Sequence, residues 1–512
     1  MVRKESCREV GRPAGARRAF MLARAEEPGP AGVRASVVAE KRGTTAWSQG
    51  TQESGTVKDR PNEMSSEPAL VNRGRAAASG SKQAGEARAR WAWVERGVWT
   101  ERMLVALETG VKGGKWYALM DKVSDEGSLW TGYLRVSANA GSAGVDGQTT
   151  QQFGRNAQVE IRRLREELRT GTYQPQPVRR CWIPKPGSTE KRGLGIPGVR
   201  DRVVQASLKG VIEPILEKEF AEHSYGFRPG RGAFDALDRV ERLLNEGFTW
   251  VVDVDFKSYF DTIPHERLMA LVAVRISDGR VLELIRAFLK AGVMEGMQGW
   301  VPTKQGTPQG GVISPLLANL YLNPLDHGIA QAGWQMTRYA DDFVIQCRSQ
   351  AEAEAAMAAV VAWAKENGLT VHPQKSRIVD ATQAGGFEFL GYHFERGLKW
   401  PREKSLARVK AAIRQRTRRL EGTNLESIIT GLNRMLKGWY AYFHRSVANE
   451  LRRIDQMVRR RLRRILLRHH KKRGNGMGLA HRRWPNAYFE VRGLFSLGTA
   501  CRIAHQSRQG TH

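Results

Sequence analysis

The adjacent carboxylates Asp341 and Asp342 point most directly to a chemical function. They lie between two short apolar-rich runs, Trp334 to Tyr339 and Phe343 to Cys347, a pattern typical of two strands joined by a tight turn. Neighbouring carboxylates repel each other, and a divalent cation between them removes that repulsion. The pattern suggests a magnesium site, although Asp-Asp is also ordinary turn chemistry because Asp bonds its own backbone.

A second acidic segment strengthens the metal interpretation. Residues 250 to 256 have an alternating pattern that predicts a strand with Asp253 and Asp255 on one face. If this strand lies beside the Asp341-Asp342 turn, three carboxylates can reach the same cations. Three carboxylates and two Mg²⁺ ions suit nucleotidyl transfer, in which one ion activates the attacking hydroxyl and the other stabilises the leaving pyrophosphate.

A third segment, Gln305 to Pro315, is a Gly- and Pro-rich loop that leads into the apolar helical run Leu316 to Leu325. Glycines let a backbone approach a ligand closely, and the amide of Gln309 offers both a donor and an acceptor. The segment is therefore either part of a nucleotide site or a plain turn before a helix.

Taken together and in this order, these motifs resemble the reverse transcriptases encoded by bacterial group II introns. The resemblance runs from about residue 96 to about residue 500. One departure is Ser258-Tyr259, where many relatives have Gly-Phe. The similar motifs are Ile-Pro-Lys-Pro at 183–186, Lys-Arg-Gly-Leu-Gly-Ile-Pro at 191–197, Asp-Arg-Val-Val-Gln at 201–205, Ser-Tyr-Gly-Phe-Arg-Pro-Gly at 224–230, Asp255 with Phe260, Gln-Gly-Thr-Pro-Gln-Gly-Gly at 305–311, Tyr-Ala-Asp-Asp at 339–342, His-Pro-Gln-Lys-Ser at 372–376, Phe-Glu-Phe-Leu-Gly-Tyr at 387–392, and the thumb-like segment 431–443.

The resemblance implies an α+β fold: a right-hand polymerase with fingers and an antiparallel palm, followed by an α-helical thumb, also called the maturase domain.

The leader is rich in Gly, Ala, Ser, Arg and Glu and has little apolar periodicity, which is typical of disorder. Many relatives carry a C-terminal endonuclease with Cys pairs or His-Asn-His motifs; we expect none here. Priming would then come from a free DNA 3′ end, such as a nascent strand, or from a site opened by intron RNA. The expected segments are a disordered basic leader at 1–95, N-terminal extension and fingers at 96–250, palm at 251–395, three-helix thumb at 396–475 and a short basic tail at 476–512.

The resemblance also implies a role for each palm carboxylate. Asp255 and Asp341 would hold two Mg²⁺ ions, and Asp342 would complete the cluster. The backbone carbonyl of Phe256 would add a ligand. These groups would form the catalytic site of an RNA-directed DNA polymerase that uses a two-metal mechanism.

Five further residues would bind the incoming deoxynucleoside triphosphate. Lys185 and Arg192 would bind the triphosphate, a role that suits the planar donor fork of Arg. Phe260 would face the sugar and exclude a 2′-hydroxyl, although a Phe packed in the core is the alternative. Gln309 would contact the nucleotide, and Lys375 would donate a proton to the leaving pyrophosphate.

The composition favours a polynucleotide partner. Lys and Arg number 82 against 52 Asp and Glu, a net charge of +30, which is the footprint of phosphate-backbone binding. Residues 402 to 473 hold 22 Lys and Arg against five acidic residues, and their apolar stripe predicts helices. We expect this surface to bind a nucleic-acid backbone, with a solvated charged helix face as the alternative, and the resemblance implies that the nucleic acid is intron RNA. The expected contacts are Arg459, Arg460, Arg461, Arg463 and Arg464.

We therefore expect a chain that copies intron RNA into DNA for retromobility and assists splicing of its parent intron. Its partners would be group II intron RNA, an RNA template with a DNA primer or target DNA, and deoxynucleoside triphosphates; a homodimer is compatible with the sequence. One rival is a splicing cofactor without polymerase use, which would not need the three aspartates. Another is a reverse transcriptase of phage defence or a CRISPR system, which would share the palm. Phe260 argues against an RNA-dependent RNA polymerase.

The apolar pattern of the sequence indicates localisation, and the cysteine spacing bears on metal and disulfide chemistry. No apolar run reaches membrane-spanning length and no secretory signal is visible, so we expect a bacterial cytoplasmic protein in a ribonucleoprotein, away from membranes. The cysteines Cys7, Cys181, Cys347 and Cys501 are far apart. This spacing argues against a zinc knuckle and a disulfide framework.

Overall fold

The computed structural model describes residues 90–184, 191–296, 299–418 and 424–509. Residues 1–89 of the expected leader lie outside the described residues, and so does Lys185. None of the helices in the described ranges is long and apolar enough to cross a membrane.

The described chain begins with helices, mixes helices and strands in its middle, and ends with helices. The helices are α1 (Glu101–Thr109), α2 (Met120–Val123), α3 (Glu126–Ala138), α4 (Thr150–Arg155), α5 (Ala157–Thr170), α6 (Val199–Glu217), α7 (Ala233–Asn245), α8 (Tyr259–Thr262), α9 (His265–Arg275), α10 (Gly279–Lys290), α11 (Ser314–Gln331), α12 (Gln350–Glu366), α13 (Glu403–Arg416), α14 (Leu425–Phe443), α15 (Ala448–His469), α16 (Leu479–Arg483), α17 (Asn486–Glu490) and α18 (Leu497–Gln509), with a 3₁₀ turn at Lys112–Gly114. The strands are β1 (Val178–Pro184), β2 (Lys191–Ile196), β3 (Trp250–Val254), β4 (Val293–Glu295), β5 (Gly299–Val301), β6 (Gln335–Tyr339), β7 (Asp342–Cys347), β8 (Arg377–Asp380), β9 (Phe387–Phe389), β10 (Tyr392–Glu395) and β11 (Leu398–Pro401).

The palm is a four-stranded sheet with the strand order β6-β7-β3-β8, and every neighbouring pair is antiparallel. Its central strand β3 has the predicted alternation. Val252 and Val254 pack into the larger core on one face of the sheet. Val251 lies on the other face with Asp253 and Asp255, and it packs into a second core that includes the thumb. The predicted α+β fold with an antiparallel palm is confirmed.

The fingers contain a second sheet with the order β2-β1-β4-β5. Strands β1 and β2 come from the expected fingers, but β4 and β5 come from residues 293 to 301, inside the expected palm. The parallel pair β1–β4 joins them, with Val178 opposite Val293 and the Val178 N–H donating to the Gly292 carbonyl (3.0 Å). A long-range strand pairing therefore places a segment of the expected palm in the same sheet as two strands of the expected fingers.

A three-stranded antiparallel sheet, β11-β10-β9, lies between palm and thumb. The expected boundary at residues 395 and 396 falls inside its β10–β11 hairpin, so the helical part of the thumb begins only at Glu403. Two buried hydroxyls fasten this sheet to α14: Tyr392 donates to the Tyr442 carbonyl (2.5 Å), and Tyr442 donates to the Leu390 carbonyl (2.7 Å).

The thumb contains the three predicted long helices, α13 to α15, and is extended by the segment expected to be a tail. Helices α16 to α18 cover that segment through residue 509. Asp455 on α15 accepts hydrogen bonds from the backbone N–H groups of Leu497 and Gly498, both at 2.9 Å, and from the Ser496 hydroxyl (2.8 Å). This acceptor fixes the start of α18 on α15, so residues 476–509 belong to the thumb.

Candidate active site of the palm

The Asp341-Asp342 turn has the predicted hairpin form. Strand β6 ends at Tyr339 and β7 begins at Asp342, and the Tyr339–Asp342 pair closes a loop of two residues, Ala340 and Asp341. Ala340 has φ +60°, in the left-handed region that residues other than glycine rarely adopt. The loop therefore carries its first acid at the tip and its second at the first position of β7.

The three predicted catalytic carboxylates meet at the ends of neighbouring strands. Val254 pairs with Phe343 in the β3–β7 ladder, so the next position places Asp255 opposite Asp342. Together with Asp341, these residues line a cleft of about 280 Å³ between the palm and the start of the thumb. The turn and β3 thus bring together the acids that the sequence motifs predicted.

Electrostatics at this edge of the sheet favour a cation. Burial is the largest cause that raises the pKa of Asp342 to about 7; the nearby carboxylates of Asp253, Asp341 and Asp255 act in the same direction, and Arg402 acts against them. Burial also raises the pKa of Asp253 to about 6. A carboxyl group with such a pKa lies among too many negative charges and too little water to ionise easily.

The His372 to Ser376 segment wraps around Asp255. The His372 N–H donates to the Asp255 carbonyl (2.7 Å), and the Asp255 N–H donates to the Ser376 hydroxyl (3.1 Å). The Lys375 ammonium lies 2.9 Å from the Asp255 carboxylate. Lys375 therefore lies beside Asp255, one of the predicted catalytic acids, and its role as a proton donor stays a prediction.

The donor set fits Mg²⁺ in its chemistry. Asp255, Asp341 and Asp342 offer carboxylate oxygens, which this ion prefers. The bridge between Phe256 and Val371 uses the Asp255 carbonyl and the Lys257 N–H, so the pairing does not occupy the Phe256 carbonyl. Among the described residues, however, no group of three or more His, Cys, Asp and Glu side chains forms a ready-made metal site.

The Gln305 to Gly311 loop joins the palm to the fingers. The Gly306 N–H donates to the Ile263 carbonyl and the Thr307 N–H to the Phe260 carbonyl, both at 2.7 Å. On the other side, the Gly195 N–H of β2 donates to the Gln309 carbonyl (2.7 Å). The loop therefore fixes β2 relative to the segment that follows Asp255.

Backbone conformation explains two residue choices near this loop. Gly310 has φ +115°, and a Cβ there would meet the Gly195 carbonyl oxygen. Ser258 has φ +51°, a conformation that glycine adopts more readily. The glycine that many relatives carry at this position fits that conformation.

A larger cleft of about 450 Å³ adjoins the carboxylates. Its wall contains most of the residues predicted to bind the nucleotide or metals, namely Arg192, Asp255, Phe256, Gln309, Asp341 and Lys375. Phe260 is only 5% exposed and packs edge-on against Tyr259 in the core, with ring centroids 5.4 Å apart. Its predicted contact with the sugar stays a prediction.

Sequence reasoning missed two residues on β1 that also line the larger cleft, Arg180 and Trp182. Trp182 is 51% exposed, and its indole N–H donates to Glu295 (2.9 Å). The Arg180 guanidinium carbon lies 5.6 Å from the Trp182 ring centroid. The same guanidinium lies over Gly193, where a Cβ would be 2.7 Å from one of its nitrogens. An exposed aromatic next to Arg on a strand is a signal of nucleic-acid binding.

The five thumb arginines differ in exposure because they lie on successive faces of α15. Arg460 and Arg464 are exposed, and Arg459 is half-buried. Arg461 is also half-buried, and its guanidinium donates a hydrogen bond to the Thr417 carbonyl (3.2 Å) at the end of α13. RNA binding therefore stays a prediction for the arginines whose side chains reach solvent.

Arg463 is a correction to the expected RNA contacts. It is 4% exposed, donates to the Trp484 carbonyl and the Asn486 side chain, both at 2.8 Å, and lies 5.4 Å from the Phe489 ring centroid. These contacts fix α16 and α17 against α15. Arg463 is thus a structural residue that nucleic acid does not reach.

Comparison with known families agrees with the two parts of the fold. Residues 183–394 match the model of the reverse transcriptase (RNA-dependent DNA polymerase), which spans most of the fingers and the palm. Residues 406–484 match the group II intron maturase-specific domain, which spans the thumb helices. The fold and the matches define a reverse transcriptase domain followed by a maturase domain.

Individual relatives support the same assignment. The chain is 38% identical over 211 residues to group II intron-encoded protein LtrA of Lactococcus lactis subsp. cremoris, covering 41% of this chain and 34% of LtrA. It is 44% identical over 195 residues to protein YkfC of Escherichia coli (strain K12), covering 37% of this chain and 50% of YkfC. The chain therefore carries a reverse transcriptase domain followed by a group II intron maturase-specific domain, and it is similar to group II intron-encoded proteins. It spans a third to a half of the length of these curated relatives.

Among solved structures, a partial Cas6-RT-Cas1--Cas2 complex is similar to this chain. The identity is 23%, the match covers 48% of this chain and 41% of that one, and the TM-score is 0.32. A TM-score this low carries no argument about fold or function.

Proposed function

We propose that this chain is an RNA-directed DNA polymerase that copies intron RNA into DNA. The observation that supports this most is the arrangement of Asp255, Asp341 and Asp342 at the ends of two paired strands, beside a cleft whose other wall carries basic residues of the fingers. A carboxylate cluster facing a basic wall suits the transfer of a nucleotide from a triphosphate.

Each wall of the cleft would have its own task. Arg192, on the fingers side, would bind the triphosphate through its planar fork of donors, and Gln309 would orient the nucleotide. Asp255, Asp341 and Asp342, with the Phe256 carbonyl, would hold two Mg²⁺ ions. When bound, these ions would activate the primer hydroxyl and stabilise charge on the leaving pyrophosphate.

Two residues would then set substrate choice and product departure. The Phe260 carbonyl is held by the Thr307 N–H, which fixes the backbone from which the aromatic ring would exclude a ribose 2′-hydroxyl. Lys375 lies within hydrogen-bonding distance of Asp255 and lines the same cleft. From there its ammonium would protonate the departing pyrophosphate.

A second function, binding of the parent intron RNA to assist splicing, is favoured by the match of residues 406–484 to the maturase-specific domain. The thumb segment carries 22 of the chain's basic residues, and exposed side chains such as Arg460 and Arg464 would contact RNA phosphates. The protein would work in a bacterial ribonucleoprotein with the intron RNA, an RNA template and a DNA primer.

Primer extension on an RNA template with deoxynucleotides and Mg²⁺ tests the polymerase. The intact chain is compared with an Asp341→Ala, Asp342→Ala variant. The control is Glu354→Ala, Glu366→Ala, which removes the same charge from the exposed face of α12. We expect extension by the intact chain and the control, and none by the aspartate variant. If a folded, RNA-binding preparation of the intact chain extends nothing, a splicing cofactor without polymerase use becomes the better assignment.

A further inference from the structure

A buried arginine lies directly beneath the catalytic turn. Arg338 is the residue before Tyr339 on β6, and its side chain is fully buried. Its guanidinium makes two hydrogen bonds to Asp326, one of them at 2.7 Å, and one to the Asn319 side chain at 2.9 Å. A further bond, also 2.9 Å, goes to the carbonyl of Ala340 in the turn itself. One cation therefore connects helix α11 to the backbone between the two strands.

The segment from His223 to Phe227 holds the same turn from another side. The Tyr225 N–H donates to the Arg338 carbonyl (2.8 Å), and the Arg338 N–H donates to the His223 carbonyl (2.9 Å). The Asn319 amide donates to the Gly226 carbonyl (2.7 Å). Asn319 thus contacts both the arginine and the segment, and these residues form one buried network.

Gly226 fits against the turn because it has no side chain. A Cβ at this position would lie 2.8 Å from the Tyr339 carbonyl carbon, and nearer still to the Ala340 nitrogen. Both atoms are backbone, so the turn would have to move to make room. The positive φ of Ala340 is a conformation that persists where its surroundings enforce it.

We propose that Arg338 and Gly226 are positioning residues that hold Asp341 and Asp342 at the angle the reaction needs. The inference rests on the proposed polymerase function. Buried ion pairs contribute little net stability, because desolvation offsets their attraction, whereas they can specify one conformation. A network of charge-assisted bonds that ends on the Ala340 carbonyl fits that second role.

The sharpest test is Gly226→Ala, which adds one methyl group and removes no charge or hydrogen bond. A displacement of about 1 Å at a catalytic group lowers a rate about 100-fold, so we expect kcat for primer extension to fall by about that factor. The KM for deoxynucleotides and the Kd for template-primer should stay at the values of the intact chain. A merely structural role would instead lower thermal stability, binding and kcat together.

Two further variants keep the test decisive if Gly226→Ala does not fold. Asn319→Ala leaves the Arg338–Asp326 pair in place and adds no atoms, while it removes the link to Gly226. Arg338→Lys keeps a positive charge opposite Asp326 but lacks the planar fork that also reaches Ala340. Each should lower kcat by about 10-fold, less than the roughly 100-fold of a full 1 Å displacement of a catalytic group, with KM and Kd unchanged.

Gly328→Ala is the matched control. Gly328 lies on the same helix α11, and a Cβ there would meet nothing within 4 Å, so kcat should equal that of the intact chain. If the intact chain extends primers and folded Gly226→Ala or Asn319→Ala keeps full kcat, the positioning role is wrong and the polymerase function stands. If all three variants lose kcat, binding and stability in proportion, the network is structural and the inference is overturned. If the intact chain itself extends nothing, the proposed function has failed and the inference fails with it.

Discussion

The palm turn and helix α15 both carry adjacent charged residues, but the two charges stay together in the turn and are separated on the helix. Asp341 and Asp342 stay close together because Asp341 lies at the tip of one hairpin and Asp342 is the first residue of its second strand. Arg463 and Arg464 are also adjacent, yet one is buried against Trp484 and the other is exposed to solvent.

The difference follows from the periodicity of the two elements. A two-residue loop closed by a strand pair fixes where its residues point, so the motif alone predicts the site. Successive residues on a helix turn by about 100°, so five neighbouring arginines cover most of its circumference. Which of them face the core depends on helices α16 and α17, which lie outside the arginine run.

The largest effect is expected for Asp255→Asn in the palm. The substitution keeps the side-chain volume and removes a carboxylate of the proposed metal site, so primer extension should fall by about 1000-fold or more, the upper range for the loss of one electrostatic catalytic group. Affinity for intron RNA should not change, because on the proposed assignment the thumb would provide it. The control is Asp380→Asn at the opposite end of the same sheet, where Asp380 pairs with Trp250. Comparable loss in both variants would mean that the sheet, not the site, was damaged.

Arg463→Ala and Arg464→Ala should separate stability from binding. Loss of the two buried bonds of Arg463 should lower the free energy of unfolding by about 2–3 kcal/mol, whereas Arg464→Ala should change it by less than about 0.5 kcal/mol. Urea denaturation of the two variants measures the difference. Equal midpoints would show that the burial of Arg463 does not matter to the thumb.

The exposed arginines should set the salt dependence of RNA binding. For Arg460→Ala, Arg464→Ala, the slope of log K against log salt concentration should become shallower by about 0.7–0.9 for each phosphate that the protein no longer neutralises. Filter binding of intron RNA between about 50 and 200 mM salt measures that slope. The control, Arg242→Ala with Lys365→Ala, removes exposed charges from helices α7 and α12, away from the thumb, and should leave the slope unchanged. A slope that responds only to the control would place the RNA on the palm instead.

The smallest effect is a pH dependence of stability without metal. The pKa of Asp342 is about 7 in the folded chain against an ordinary 3.8, so the folded state binds the proton more tightly than the unfolded state. This contribution is fully present below about pH 4 and is lost as the pH rises through about 7. In chelator-treated protein, Asp342→Asn should therefore make the fall in Tm between about pH 4 and pH 7 less steep. Asp253 would account for the fall that remains, because its pKa is also raised, to about 6. An unchanged slope would contradict the raised pKa of Asp342.

Local patterns predicted the parts of the molecule that local patterns determine. The strand alternation at Asp253 and Asp255, the hairpin turn and the helical thumb each depend on residues within a short window. The transfer of β4 and β5 to the fingers sheet was not predictable, because short strands of three residues carry little pattern and their pairing partner lies more than 100 residues away.

The network beneath the turn was missed for the same physical reason. Arg338 stands directly before the Tyr-Ala-Asp-Asp motif, which was a usable signal, since a charged residue in an apolar strand needs a buried partner. Its partners Asp326 and Asn319 lie on α11, and no local spacing connects them to the turn. The role of Gly226 in the Ser-Tyr-Gly-Phe-Arg motif likewise became clear only from the structure, in which the turn packs directly against this residue.

The most direct test of the division between a catalytic palm and an RNA-binding thumb measures two quantities on the same preparations: the primer-extension rate at saturating template-primer and the Kd for intron RNA. The variants are Asp341→Ala, Asp342→Ala in the palm and Arg460→Ala, Arg464→Ala in the thumb. We expect the palm variant to lose extension and keep its Kd, and the thumb variant to bind intron RNA more weakly while it extends a saturating primer at the rate of the intact chain. A palm variant that still extends primers, or an intact chain that binds RNA but never extends, would contradict a catalytic role for the palm carboxylates.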